Sequence, residues 1–262
     1  MLRFTDRIGR ATVSGIEELG HCGMLVLESL YWVFAGPRMR QPVRMGSVFV
    51  QMMEIGVFAI PIIGLMGATI GVMLAIQGIH TLKIFGAESR VVIGISLSVT
   101  REFAPLITGI LVAGRSGSAL AARLGTMRIS QEIDALTVMG VNPVRFLVAP
   151  ALLAMLVMVP ALTFFSDIVG LFAAGLYVSA DLDMSMAAYV DQTIEFLSVD
   201  DLMHGLGKSA IFAVLIAAIG VVNGASVSGG AEGVGRVTTR AVVQSIMAIV
   251  VTDMLFAFVV TR

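Results

Sequence analysis

Five apolar runs, each near the roughly twenty residues that cross a bilayer as a helix, limit this chain to one broad architecture. They occupy residues 55–79, 91–113, 146–178, 206–227 and 241–260. In hydrocarbon every backbone N–H and C=O must be satisfied within the protein, so runs of this length fold as helices. The composition agrees. Of 262 residues 57% are hydrophobic and 13% charged, where a soluble domain is about a quarter charged. The expected fold is an all-α membrane protein with five transmembrane helices. The third run is the longest and carries Pro150, Pro160 and Asp167, which predicts a tilt or a kink.

Residues 1–45 form an N-terminal region and 46–262 the five-span domain. Arg3, Arg7 and Arg10 imitate the start of a secretory signal, but Asp6, Glu17 and Glu18 interrupt it and no small-residue cleavage site follows. Phe4, Ile8, Ala11 and Leu19 give a loose apolar stripe, and residues 25–34 are a short, mostly apolar run that Glu28 breaks. This pattern predicts interfacial helix, with Tyr31 and Trp32 at headgroup depth. Pro37, Arg38, Arg40, Pro42 and Arg44 then make a basic break.

Basic residues set the orientation. Arg38, Arg40 and Arg44 precede the first span, Arg115, Arg123, Arg128 and Arg145 lie between the second and third, and Arg236 and Arg240 between the fourth and fifth. The loop at 178–204 has Asp181, Asp183, Asp191, Glu195, Asp200 and Asp201 and no Lys or Arg. The positive-inside rule places the N-terminus in the cytoplasm and Arg262 outside. The six acids read as a solvated face or as a docking surface.

The cytoplasmic stretch at 123–143 is the most polar segment between two apolar runs. It predicts a short helix from Ser130 as N-cap, with Glu132 and Asp134 in the first turn, where the helix dipole favours anions. Ile129, Ile133, Leu136 and Met139 recur at helical spacing. Gly140 closes the helix and Pro143 stops it restarting. Two readings fit equally: a connector lying on the lipid, or a lever on which a soluble motor pushes.

Charges inside the spans are the sharpest chemical signal. Arg101 and Glu102 fall in the second span, Lys208 begins the fourth and Asp253 lies in the fifth. Each costs roughly 2.5–3.5 kcal/mol at mid-bilayer, so they must pair or face water. Adjacent residues of a helix point in different directions, so Arg101 and Glu102 need different partners. The cluster is either a structural ion pair or a polar cavity for a charged headgroup and its gate. Gly64, Gly67 and Gly71, and later Gly117, Ala121 and Gly125, mark close helix contacts, either within one subunit or at a homodimer seam.

Catalytic chemistry finds no support. Cys22 is alone, and His21, His80 and His204 have no ligand spacing, so no metal site is expected. The glycine-rich segment at 224–235 lacks the Lys-Ser/Thr ending of a phosphate loop and follows no predicted strand, so it reads as a tight turn. Any uphill movement must draw its energy from another protein.

Three blocks of residues carry a family resemblance. Glu102-Phe103-Ala104-Pro105 leads to Ala113-Gly114-Arg115. Leu124-Gly125-Thr126-Met127 is followed by Glu132-Ile133-Asp134-Ala135-Leu136 and Val138-Met139-Gly140. Gly233-Val234-Gly235-Arg236 leads through Thr238-Thr239-Arg240-Ala241-Val242-Val243 to Asp253. With these blocks the chain resembles the MlaE-type permeases of bacterial ABC systems that move phospholipids between inner and outer membranes. It departs at Arg123, where the family often has an acid, and at Pro150-Ala151, where it often has Pro-Arg. The resemblance implies an inner-membrane homodimer with an interfacial N-terminal helix and five spans per subunit. It implies a cytoplasmic ABC ATPase pair, which binds ATP and Mg and docks on a coupling helix at about 126–142. A small STAS-type regulatory subunit and a periplasmic MCE-domain hexamer complete the implied assembly. Phospholipid would pass through a cavity at the dimer centre, and the pathway would maintain outer-membrane lipid asymmetry. This chain itself would carry no cofactor and no catalytic residue.

Two other classes remain. A secondary transporter would use the buried acids as a proton relay, although five spans and no inverted repeat argue against it. A passive scaffold would tolerate neutralisation of every buried charge.

Overall fold

The computed structural model describes residues 20, 22–33, 36 and 43–260. The predicted N-terminal arginines and apolar stripe, most of the basic break at 37–44, and Arg262 lie outside the described residues. Among those described, every regular element is helical, and five runs are long and apolar enough to span a membrane: Met45–Lys83, Glu88–Ile129, Val144–Asp181, Val199–Ala225 and Gly230–Val259. A shorter apolar helix, α1, covers Cys22–Val33. The apolar runs thus mark the spans, but each helix extends past its apolar stretch. The second run has 42 residues, about 63 Å of helix, twice the roughly 30 Å of hydrocarbon it must cross.

The elements in order are α2 (Met45–Ile55), α3 (Ile60–Lys83), α4 (Val91–Ser98), α5 (Ala104–Val112), α6 (Ser118–Ile129), α7 (Glu132–Val138), α8 (Ala149–Asp181), α9 (Met186–Phe196), α10 (Val199–Ala225) and α11 (Gly230–Val260). π-helical turns at Val99–Phe103 and Ala113–Gly117 join α4, α5 and α6 into one run, and a third at Val144–Val148 leads into α8. The chain divides into two compact units.

One unit holds the described parts of 1–51, 113–155 and 214–245. Here α6 lies against α10 at small residues, with Gly224 against Ala121 and Leu124. Asn223 Nδ2 donates to Gln244 Oε1 at 2.6 Å, a half-buried polar clamp between α10 and α11. Glu28 of α1 accepts from Asn142 Nδ2 at 3.0 Å and from Trp32 Nε1 at 3.4 Å, and Arg145 lies over the Trp32 ring at 5.4 Å. Glu28 therefore does not interrupt α1; it ties that helix to the chain just before α8. Of the glycine-rich segment at 224–235 only residues 226–229 make the expected turn: Gly224 and Ala225 end α10, residues 230–235 begin α11, and Gly229 and Gly230 take positive φ.

The other unit holds 52–112, 156–213 and the described part of 246–262. α3 and α8 meet where Gly67 faces Ser166 and Gly71 faces Gly170. In lipid, where apolar burial drives little, such contacts gain from close backbone approach. The small residues of both α3 and α6 thus pack within the chain. A core of Ala75, Ile79, Val91, Val92, Ile95 and Val178 closes over Tyr189 of α9. α9 itself departs from the loop expected at 178–204. Ser185 caps it, accepting from the Ala188 N–H at 3.2 Å, and Tyr189 anchors it.

The Tyr189 hydroxyl donates to the Leu171 carbonyl at 3.2 Å, and burial pushes its ionisation up to about 12. A phenol held neutral by folding contributes stability below its ordinary value of about 10, and that contribution fades as pH rises through the folded value. Ultraviolet titration of the three tyrosines is expected to show one that ionises near pH 12, together with unfolding. Tyr189→Phe should remove that step.

Candidate functional site

The charges predicted inside the spans come together. Lys208, on α10, has no solvent exposure. Its Nζ donates to Glu102 Oε2 at 2.6 Å and lies 2.9 Å from Asp253 Oδ1. A Lys buried this deeply needs a counter-charge, because desolvation of an unpaired ammonium is too costly. α10 can bring it there because Gly205, one turn earlier, lets the helix close on the π-turn: a Cβ at Gly205 would overlap the Thr100 carbonyl. That π-turn carries Arg101 and Glu102, and single π-turns within α-helices recur at functional sites.

Arg101 takes a different partner, as the helix geometry requires. Its Nε lies 2.7 Å from Asp201 Oδ1. Asp201 was expected in the outer loop among the six acids; it instead occupies the first turn of α10. Its second oxygen accepts from the Ser198 backbone N–H at 2.9 Å and the Ser198 hydroxyl at 2.7 Å, while the Asp201 N–H donates back to Ser198 Oγ at 3.2 Å. This reciprocal cap is written in the sequence as Ser-x-x-Asp before an apolar run, and reading it would have found Asp201.

The cluster has an open side. Arg101 and Glu102 keep 44% and 42% of their side-chain surface exposed, while Lys208 and Asp201 are covered. Ionised groups with that exposure cannot face hydrocarbon; they need water or a polar partner. The geometry can therefore bind a zwitterionic or charged group, or move between alternative ion pairs.

The second predicted site, α7, belongs to the other unit. Its acids are in the first turn, and Gly140 closes it at φ +74. Two bonds complete the closure, Gly140 N–H to the Thr137 carbonyl at 3.0 Å and Val141 N–H to the Leu136 carbonyl at 2.9 Å, the pattern of a Schellman cap. Ser130 is not the N-cap. It ends α6, and its hydroxyl lies 2.8 Å from Glu132 Oε1. Gln131 occupies the cap position in the left-handed region at φ +59, a conformation that turns the chain sharply between α6 and α7. Asp134 is held by Arg128 at 2.5 Å. Ile129 therefore belongs to α6, and Met139 lies just beyond α7. Of the expected apolar stripe only Ile133 and Leu136 are half-buried. Val138 is 89% exposed and Met139 67%, so the far end of α7 presents apolar side chains to whatever lies outside the chain.

Known proteins share this sequence at nearly full length. The family model described as Permease MlaE matches residues 48–259. The chain belongs to the MlaE permease family. The intermembrane phospholipid transport system permease protein MlaE of Haemophilus influenzae is 30% identical over 256 residues, covering 97% of this chain and 95% of its own. A probable ABC transporter permease protein of Rickettsia bellii is 30% identical over 255 residues, 97% and 96% of the two chains. One of Synechocystis is 37% identical over 204 residues, 78% and 77%. The MlaE match starts after α1, covers the first span from residue 48 and the other four in full, and includes both the charge cluster and α7. This MlaE-family chain is thus a multi-pass ABC transporter permease.

Proposed function

We propose that this permease is the membrane subunit of an ATP-driven transporter that moves phospholipids between inner and outer membranes and so maintains outer-membrane lipid asymmetry. The chain sits in the inner membrane with its N-terminus and α7 in the cytoplasm and its C-terminus in the periplasm. It works as a homodimer with a cytoplasmic ABC ATPase pair, a small STAS-type regulatory subunit and a periplasmic MCE-domain hexamer. ATP and Mg belong to the ATPase. The full-length likeness to a phospholipid permease supports the substrate class. The arginines flanking α6 and α7, against the acidic segment at 178–204, support the orientation.

The observation that carries the reading is α7: a capped helix of seven residues, exposed except at Ile133 and Leu136, with an acidic first turn and the apolar pair Val138 and Met139 at its end. Such a knob offers a soluble partner both charge and an apolar anchor. In this mechanism ATPase closure displaces α7, α6 transmits the movement as a stiff extension of the second span, and the Glu102–Lys208–Asp253 cluster opens or closes a lipid cavity together with Arg101. Glu132→Lys combined with Asp134→Lys is expected to lower copurification of the ATPase by about tenfold or more and to remove ATP-driven lipid transport. Unchanged copurification and transport would refute the coupling role.

A further inference from the structure

A second feature of the membrane region is unused by this mechanism. Between α3 and α4 runs a groove of about 270 Å³. Leu74, Gly78 and Leu82 line it from α3 and Val91, Gly94 and Ile95 from α4, and Gly78 and Val91 meet at its floor, where a Cβ on Gly78 would lie 3.0 Å from Val91 Cγ2. From Leu74 to Leu82 it follows eight residues of helix, about 12 Å. Gly94 keeps it open: a Cβ there would meet nothing within 4 Å. The lining belongs to two runs long and apolar enough to span a membrane and is apolar except for Gln77, Thr81 and Ser98, with the Thr81 hydroxyl turned onto the Gln77 carbonyl, so in a bilayer hydrocarbon is the favoured filling. A methylene takes about the space of a water molecule, roughly 30 Å³, so the groove holds about nine of them. That is a large part of one lipid acyl chain, over a length an extended chain matches.

The mouth of the groove has the chemistry of a headgroup region. Ile84 and Phe85, in the turn joining α3 to the Glu88–Arg90 segment, are exposed apolar side chains suited to insertion at the bilayer surface. Arg90 directly precedes Val91 at the groove wall and is exposed; among the described residues it has no ion-pair partner. Lys83, by contrast, is engaged by Asp181 at 3.3 Å. Glu88 on the same turn balances the local charge, so the feature offered to a ligand is one free guanidinium, not a cationic field. A guanidinium recognises phosphate with paired N–H donors.

We propose that this groove binds one acyl chain of a glycerophospholipid whose phosphate is held by Arg90. The site shares no residue with the Arg101–Asp253 cluster, and it rests on the chain being embedded in a bilayer, not on the direction or energy source of transport. It recognises the phosphate common to all such lipids, so a diacylglycerol with the same chains is a poor ligand.

The test places a photoreactive p-benzoylphenylalanine at Thr81, on the groove rim, in the full chain reconstituted into nanodiscs of phosphatidylethanolamine with an equal fraction of diacylglycerol. Mass spectrometry reads the adduct. The expected product is a phospholipid adduct, reduced about tenfold by Gly94→Phe, which fills the groove, and about fivefold by Arg90→Gln, the share one cation contributes near a phosphate surface. Arg90 lies on an exposed turn, so Arg90→Gln decides the matter even if Gly94→Phe does not fold. Three results would overturn the proposal: equal labelling in Arg90→Gln and the parent, diacylglycerol labelled as strongly as phospholipid in the parent, or a peptide adduct from another membrane segment.

Discussion

Lys208→Met is expected to abolish lipid transport and to lower stability by about 3–5 kcal/mol, the cost of removing one member of a buried ion pair. The residue has no exposure and serves two carboxylates, Glu102 at 2.6 Å and Asp253 at 2.9 Å. Without it two anions remain in membrane-spanning helices with no counter-charge. For a chain of this size the thermal midpoint should fall on the order of 10 °C. Structural and functional roles separate in the triple variant Lys208→Met, Glu102→Gln, Asp253→Asn. Removing both carboxylates together with the ammonium leaves no uncompensated buried charge, so the triple variant should regain most of the lost midpoint. If the charges gate a lipid cavity, transport should stay at background and lipid crosslinking near α10 should remain low. Full transport in the triple variant would reduce the cluster to structural glue.

Gly71→Leu is expected to separate α3 from α8 and to cost about 3 kcal/mol, the upper end for overpacking a close-packed contact. A Cβ at Gly71 already overlaps the Gly170 carbonyl, and a backbone atom in a helix cannot swing aside as a side chain can. Even Gly71→Ala should therefore destabilise, although alanine is the better helix former by about 1 kcal/mol. Gly94→Ala is the control. It has open space around its Cβ and should be neutral or stabilising. Equal midpoints for Gly71→Ala and Gly94→Ala would contradict the α3–α8 contact as described.

How much of this was legible in the sequence depended on which physical constraint was strongest locally. The spans were, because hydrocarbon accepts little besides helix, and the need for Glu102, Lys208 and Asp253 to find partners was legible for the same reason. Which partners they found was not, since nothing in a linear sequence says which helices are neighbours. Asp201 was hidden among five other acids, although Ser198 three residues before it gave the signal of a cap. α9 was hidden by the same acidity: Tyr189 and Thr193 sit at helical spacing, but the charges read as loop. At α7 the obvious cap residue misled. Ser130 sits where an N-cap would, yet it ends α6, and the turn is made by Gln131 in a left-handed conformation that glutamine rarely adopts. Gly140 was legible because glycine tolerates positive φ without strain, and a helix end that needs it leaves few alternatives.

On the function proposed above, an ATPase partner supplies the energy and its force enters the permease through α7. The decisive measurement is phospholipid transfer from vesicles holding the complete transporter, compared with vesicles holding this chain alone, each with and without ATP. Transfer is expected only in the complete assembly with ATP, and is lost again when Glu132 and Asp134 are both replaced by lysine. Full transfer by the chain alone, or transfer that follows a proton gradient and ignores ATP, would contradict it.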